Sequence, residues 1–184
     1  MNLKDSQTRI NLMRSFAGES QARNRYTYAA EAAKSQSLHV IEAVFKFTAN
    51  QEKEHGKIFY NFLKEMTGEN ITIDGSYPVD IYDDVLKLLR SAQHNEFEEF
   101  EPVYPDFAAV ANQEGFTNIG AKFNQIAKIE KTHGDRFGMF ADLLEQGKLF
   151  VSDVEEEWMC LNCGYVHKSS EAPKSCPVCS HPQG

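Results

Sequence analysis

Two spacings in the chain could do chemistry, and each occurs twice. Glu52 and His55, and again Glu130 and His133, form Glu-x-x-His pairs; Cys160 with Cys163, and Cys176 with Cys179, form Cys-x-x-Cys pairs. On a helix, residues three apart share one face, so each Glu–His pair offers an oxygen and a nitrogen donor to one point. With 18 Glu and 6 His in 184 residues, about 0.6 such pairs arise by accident. The spacing alone therefore decides little, and the pattern it interrupts decides more.

Steps of three and four from Ile119 give Phe123, Ile126, Glu130, His133, Phe137, Phe140 and Leu144, an apolar stripe facing a core. A second stripe runs Ile41, Val44, Phe45, Thr48, Glu52, His55, Phe59, Phe62, Met66. A first reads Leu12, Phe16, Glu19, Tyr26, Ala30, Ala33, and a third Val85, Leu89, Ala92, Glu96, Glu99, Val103. Five carboxylates and two imidazoles thus sit where Leu would be expected. Buried like charges protonate or force a structure open unless cations neutralise them, and two divalent ions reduce five negative charges to about minus one. One Glu from each of two helices plus Glu-x-x-His from two others is the ligand pattern of ferritin-like dimetal bundles. This chain has one carboxylate more.

Four helices must position these groups. Asp5, Ser6 and Thr8 are candidate N-caps for a first helix ending near Ser35, with a turn at 36–38. The second helix is expected to reach Met66 and stop at Thr67-Gly68. Residues 69–79 have no period and suit a long crossover. The third is expected from near Asp80, with a kink or a new helix at Pro102 and Pro105, and the fourth from Gly115 to Gln146-Gly147. The expected fold class is mainly α: a ferritin-like four-helix bundle with a long crossover over 1–147, a linker at 148–157, and a small four-cysteine metal domain at 158–184. A module so small leans on its metal for stability, and four thiolates suit iron or zinc. His39, His94, His167 and His181 fall outside both constellations and are read as surface residues, while Trp158 and Tyr165 flank and shield the first knuckle.

The net charge of −8 argues against a nucleic-acid partner. No apolar run approaches a membrane span and the N-terminus lacks a signal-peptide core, so a cytoplasmic protein is expected. Cysteines confined to two such pairs in a reducing compartment indicate metal ligation.

From Phe16-Ala-Gly-Glu19-Ser-Gln-Ala-Arg to Cys179 the chain resembles rubrerythrins, di-iron bundles followed by a rubredoxin-like module that holds one iron on four cysteines. The resemblance implies a dinuclear non-haem iron site with Glu52 and Glu130 bridging, Glu19 terminal on one iron, and Glu96 and His133 terminal on the other. It implies that Glu99 and His55 exchange on the first iron with oxidation state, as a harder ferric ion would favour carboxylate. It implies a peroxidase reducing hydrogen peroxide to water in oxidative-stress defence. Electrons would pass from an external NAD(P)H-linked reductase or rubredoxin through the Cys160, Cys163, Cys176, Cys179 iron. Tyr26 and Tyr104 match family tyrosines near the irons that could donate hydrogen bonds or protons. A head-to-tail homodimer is also implied, and it suits the ~21 Å by which the fourth helix carries the chain past His133. Members usually continue beyond the last knuckle with an aromatic-containing strand, whereas this sequence stops at Gly184, so the module's closing strand is left open. Iron storage in a ferritin-like shell, a dioxygen-reducing oxidase, and a zinc ribbon on a structural bundle are the competing readings.

Overall fold

The computed structural model describes residues 2–184. Helix α1 (Gln7–Ser35) starts at Ser6, whose hydroxyl accepts from the Arg9 amide at 3.0 Å. Of the three candidate caps Ser6 does this work, and Glu114 adds a second cap by accepting from the Gln7 and Thr8 amides at 2.8 Å each. The chain reverses at Ser37 (φ 58°) into α2 (His39–Phe62), so α1 and α2 lie antiparallel. α2 ends four residues before Met66, because the chain tightens there into a 3-10 turn at Lys64–Met66.

Residues 67–84 cross along the bundle without helix. Ion pairs from Asp74 to Arg14 and from Asp80 to Arg25 (2.9 Å) tie this crossover to α1. Helix α3 (Val85–Glu98) begins later than Asp80, because Asp84 is the cap and accepts from the Leu86 and Lys87 amides at 2.9 and 3.3 Å. A π turn follows at Glu99–Val103, with Glu101 out of helical conformation (φ −156°, ψ 114°) before Pro102. α4 (Tyr104–Gln113) then resumes the direction, and α5 (Thr117–Glu145) packs along both. The irregularity thus begins at Glu99 itself rather than one turn beyond it.

Two apolar clusters fill the bundle. One gathers Tyr26, Ile41, Phe45, Leu89 and Phe137, the other Leu12, Phe59, Tyr104, Phe123 and Ile126, all fully or almost fully buried. Each such side chain contributes roughly 1.5–3 kcal/mol by leaving water. The acidic and imidazole side chains belong to neither cluster.

The expected linker is largely strand. β1 (Val151–Met159) pairs antiparallel with β2 (Val166–Glu171), with Glu157 opposite Lys168 and Trp158 opposite His167. An acidic run reads as solvated linker until its cross-strand neighbours, including a lysine, are known. Gln183 closes the module by bonding Lys174 and Ala172. The Val40 amide donates to the Gly184 carbonyl at 2.9 Å, which ties the module to the start of α2. There His39 and His181 meet edge to face at 5.1 Å, so these two are not free surface residues; the docking of module on bundle brings them together. No helix among the described residues is long and apolar enough to cross a membrane.

Candidate metal centre

Glu19 on α1, Glu52 and His55 on α2, Glu96 on α3, and Glu130 and His133 on α5 converge between the two apolar clusters, none more than 6% exposed. His55 Nδ1 lies 3.0 Å from Glu52 Oε2, 2.9 Å from Glu130 Oε1 and 3.8 Å from Glu19 Oε2. His133 Nδ1 lies 2.9 Å from Glu52 Oε1, 2.9 Å from Glu130 Oε2 and 3.4 Å from Glu96 Oε2. The donor atoms form two groups, one of Glu19, Glu52, His55 and Glu130, the other of Glu52, Glu96, Glu130 and His133. Glu52 and Glu130 each turn one oxygen toward each group. The rings of His55 and His133 stack 5.5 Å apart, so the two points are neighbours.

These short contacts are not hydrogen bonds. Among the described residues, both oxygens of Glu52 and of Glu130, Glu19 Oε2, Glu96 Oε2 and both histidine Nδ1 atoms are buried without a hydrogen-bond partner. Leaving so many polar atoms unpaired in a dry interior costs several kcal/mol. Lone pairs that approach one another yet miss hydrogen-bond alignment are aimed at shared points between them, which is what cations require. The residues fit two metal ions with oxygen-rich coordination and one imidazole each.

The protonation of the metal-free cluster follows from the same crowding. Burial opposes charge on His55 and His133, but their carboxylate neighbours, Glu130 and Glu52 foremost, raise them to about 9 and about 12. Burial also opposes charge on Glu52, yet the two imidazoles bring it down to about 2. Burial and the Glu52 charge push Glu96 up to about 8, while burial and the charges of Glu130 and Glu52 raise Glu19 well above the carboxylate range.

Tyr26 and Tyr104 seal the two ends. Tyr26, packed between Phe45 and Phe137, donates to Glu96 Oε1; Tyr104, packed against Phe59 and Phe123, donates to Glu19 Oε1 at 2.5 Å. Glu99 stands outside both groups, half-buried in the π turn with its Oε1 against Gly18.

The four thiols form the second constellation. Cys160 and Cys179 Sγ lie 3.7 Å apart, as do those of Cys163 and Cys176. Tetrahedral bonds of ~2.3 Å require sulfur–sulfur edges of about 3.8 Å, so the cradle has the right size for one ion. Each knuckle turns through a left-handed residue directly after its second cysteine, Gly164 (φ 76°) and Ser180 (φ 59°). The Asn162 side chain and a His181 backbone contact lower the Cys179 thiol to about 6. A backbone contact from Tyr165 favours ionisation of Cys163, but the neighbouring sulfurs outweigh it and push that thiol to about 12. Trp158 donates through Nε1 to the Ser169 carbonyl at 2.8 Å.

Glycines beside the histidines were not among the candidates. A Cβ on Gly56 would lie 3.2 Å from Glu19 Cβ, and one on Gly134 only 2.7 Å from the Phe97 ring. These glycines let α1 approach α2, and α3 approach α5, next to the ligands. The signal was present as a repeat, Glu-Lys-x-His-Gly at 52–56 and at 130–134.

A four-helix bundle with two adjacent ligand groups sharing two carboxylates, extended by a tetrathiolate module, is a ferritin-like dimetal protein with an appended four-cysteine metal site. The chain belongs to the rubrerythrin family. The family model described as Rubrerythrin matches residues 11–141, and the one described as rubrerythrin, rubredoxin-like domain matches 158–184. The chain is 45% identical to the rubrerythrin of Clostridium perfringens over 99% of this chain and 94% of that one. It is likewise 45% identical to that of Porphyromonas gingivalis, over 99% and 90%. The fully reduced, all-ferrous state of nigerythrin superimposes with a TM-score of 0.67 at 28% identity, over 97% of this chain and 87% of that one. A Desulfovibrio desulfuricans bacterioferritin shares the fold, with a TM-score of 0.69 at 20% identity over 81% and 87%. The protein therefore carries a di-iron site in the bundle and a rubredoxin-like site of four cysteines in the module.

Proposed function

We propose that the protein is a peroxidase that reduces hydrogen peroxide to water, with electrons entering through the four-cysteine module. The observation that carries this reading is the paired ligand geometry, in which Glu52 and Glu130 divide their oxygens between two adjacent points. Two irons would be held with Glu52 and Glu130 offering an oxygen to each point, Glu19 adding a donor at the first, and Glu96 with His133 adding donors at the second. His55, which faces the first point here, and Glu99, which stands off it, would be alternative donors to an iron there. When bound, the two irons supply Lewis acidity and one electron each, and the tetrathiolate iron replaces those electrons singly.

The chain's own residues do the rest. One peroxide with two electrons and two protons gives two waters, so protons must reach the cleaved oxygens. Tyr26 and Tyr104 hold hydroxyl protons on Glu96 and Glu19, at opposite ends of the site. The apolar clusters on either side exclude bulk water, which strengthens each charge interaction inside. The module docks at the His39 end of α2, 16 residues (55 − 39) and so roughly 24 Å along the helix from His55. A partner's module in a head-to-tail homodimer shortens that path. An external NAD(P)H-linked reductase or rubredoxin completes the supply.

The direct test mixes fully reduced protein with peroxide and, separately, with dioxygen in a stopped-flow instrument. Reoxidation by peroxide at least ~10-fold faster, a barrier difference near 1.4 kcal/mol, is the expected result. Faster reaction with dioxygen would make it an oxidase instead.

A further inference from the structure

A cavity of about 530 Å³ lies between α1, the crossover and the π turn, and its lining includes Glu99 and Tyr104, whose hydroxyl donates to the ligand Glu19. The buried Tyr104 and Ser15 line it together with Glu99 and Gly18, and Tyr77, the exposed aromatic among its lining, stands nearest to solvent. Ser15 is 3% exposed and its hydroxyl has no hydrogen-bond partner among the described residues. A buried hydroxyl on a cavity wall costs stability unless something in the cavity bonds it. Tyr77 is held in place by the bond from its hydroxyl to the Arg14 carbonyl (3.2 Å) and by the ion pair of Arg14 with Asp74. Its ring and Glu99 Oε1 meet across Gly18, each 3.8 Å from where a Cβ there would stand. The two arginines on the rim are already paired, Arg14 with Asp74 and Arg25 with Asp80. With its cations neutralised and a carboxylate in its lining, the cavity disfavours anions.

We propose that this cavity is the entry route and holding site for a small uncharged hydroperoxide, in which Ser15 hydrogen-bonds the incoming molecule and the Tyr77 ring limits its size. The identity of the ligand rests on the peroxidase reading, whereas the size limit does not. Tyr77 is a specificity-determining residue at the mouth, and Gly75 permits its position, since a Cβ there would fall 2.9 Å from the ring.

The test uses the full-length, iron-loaded protein in two arms. In the first, 2,2′-bipyridine, a neutral aromatic chelator, captures ferrous iron from the bundle, while the tetrathiolate iron is followed by its own charge-transfer absorption. Tyr77→Ala is expected to speed capture about 10-fold, equivalent to a barrier lowered by one decade. Tyr77→Phe, which keeps the ring, retains the slow rate, and Gly75→Ala gives a partial rise without altering Tyr77 itself. In the second arm, reduced protein reacts with hydrogen peroxide and with cumene hydroperoxide. Tyr77→Ala raises the ratio of cumene hydroperoxide to hydrogen peroxide rates about 10-fold, and Ser15→Val lowers the hydrogen peroxide rate by roughly the same factor. Capture rates equal in parent, Tyr77→Ala and Gly75→Ala, all with the parent's thermal midpoint, overturn the route. A parent that fails to reduce peroxide while Tyr77→Ala still speeds capture supports the route and removes the peroxidase reading.

Discussion

At the scale of residues, the centre exchanges protons for cations. In the metal-free protein, His55 at about 9 and His133 at about 12 lie above the ordinary imidazole value, and Glu96 at about 8 lies above the ordinary carboxylate value. Groups with raised pKa values stabilise the fold below their unfolded values and lose that contribution as pH rises through the folded ones. Between pH 6.5 and 9 the apoprotein should therefore lose on the order of 3 kcal/mol from His55 alone, at 1.36 kcal/mol per unit. Glu52, lowered to about 2, acts in the opposite sense, and its contribution disappears only as pH falls below the ordinary carboxylate range. Metal binding displaces the protons and tightens as pH rises. The difference in melting temperature between loaded and metal-free protein should thus widen from pH 6 to pH 9 in calorimetry, and a constant difference would contradict the assignment of the imidazoles as ligands.

At the scale of elements, glycines set how closely helices approach, and two of them on α5 should respond oppositely to a methyl group. A Cβ on Gly134 meets the half-buried Phe97 ring at 2.7 Å, so Gly134→Ala must push α3 away beside His133. Overpacking of this kind costs about 1–3 kcal/mol, and the loosened second ligand group should hold iron less tightly. On Gly138 the added Cβ meets only the amide end of Gln93, which can swing aside. There the better helix propensity of alanine should raise stability by up to ~1 kcal/mol. Chemical denaturation of the two variants reads both signs. In the module, the left-handed Ser180 occupies the place that Gly164 takes in the first knuckle, and a glycine fits that conformation without a Cβ penalty.

At the scale of the whole molecule, the bundle and the module meet where the Gly184 carbonyl accepts from Val40 and where His39 contacts His181. That end of the bundle is remote from the paired carboxylates. A Glu130→Ala variant lacks one shared carboxylate, and a Cys163→Ser variant lacks one thiolate of the module. If electrons cross between subunits, mixing the two inactive proteins under exchange conditions should recover up to about a quarter of parental turnover per site, because roughly half of the dimers become mixed and each holds one intact pairing. Turnover of the mixture no greater than the sum of its parts would place electron transfer within one chain.

Much of the fold and of the site is legible in the sequence. Glu19, Glu52, Glu96, Glu130, His55 and His133 were identifiable because each interrupts an apolar stripe at helical spacing, and charge in such a place needs a cation. The four cysteines were identifiable because their spacing is that of two metal knuckles. The strand hidden in the acidic run before Trp158 was not legible, since its pairing with Lys168 and His167 is non-local. Nor was the contact of His39 with His181, which depends on how the module docks. The local repeat of residue types by itself determined that metal would be held, and by which helices. Only the tertiary structure decided that Glu52 and Glu130 divide their oxygens while Glu99 stands aside, because those orientations depend on how closely glycines let helices pack and on a π turn that redirects one of them.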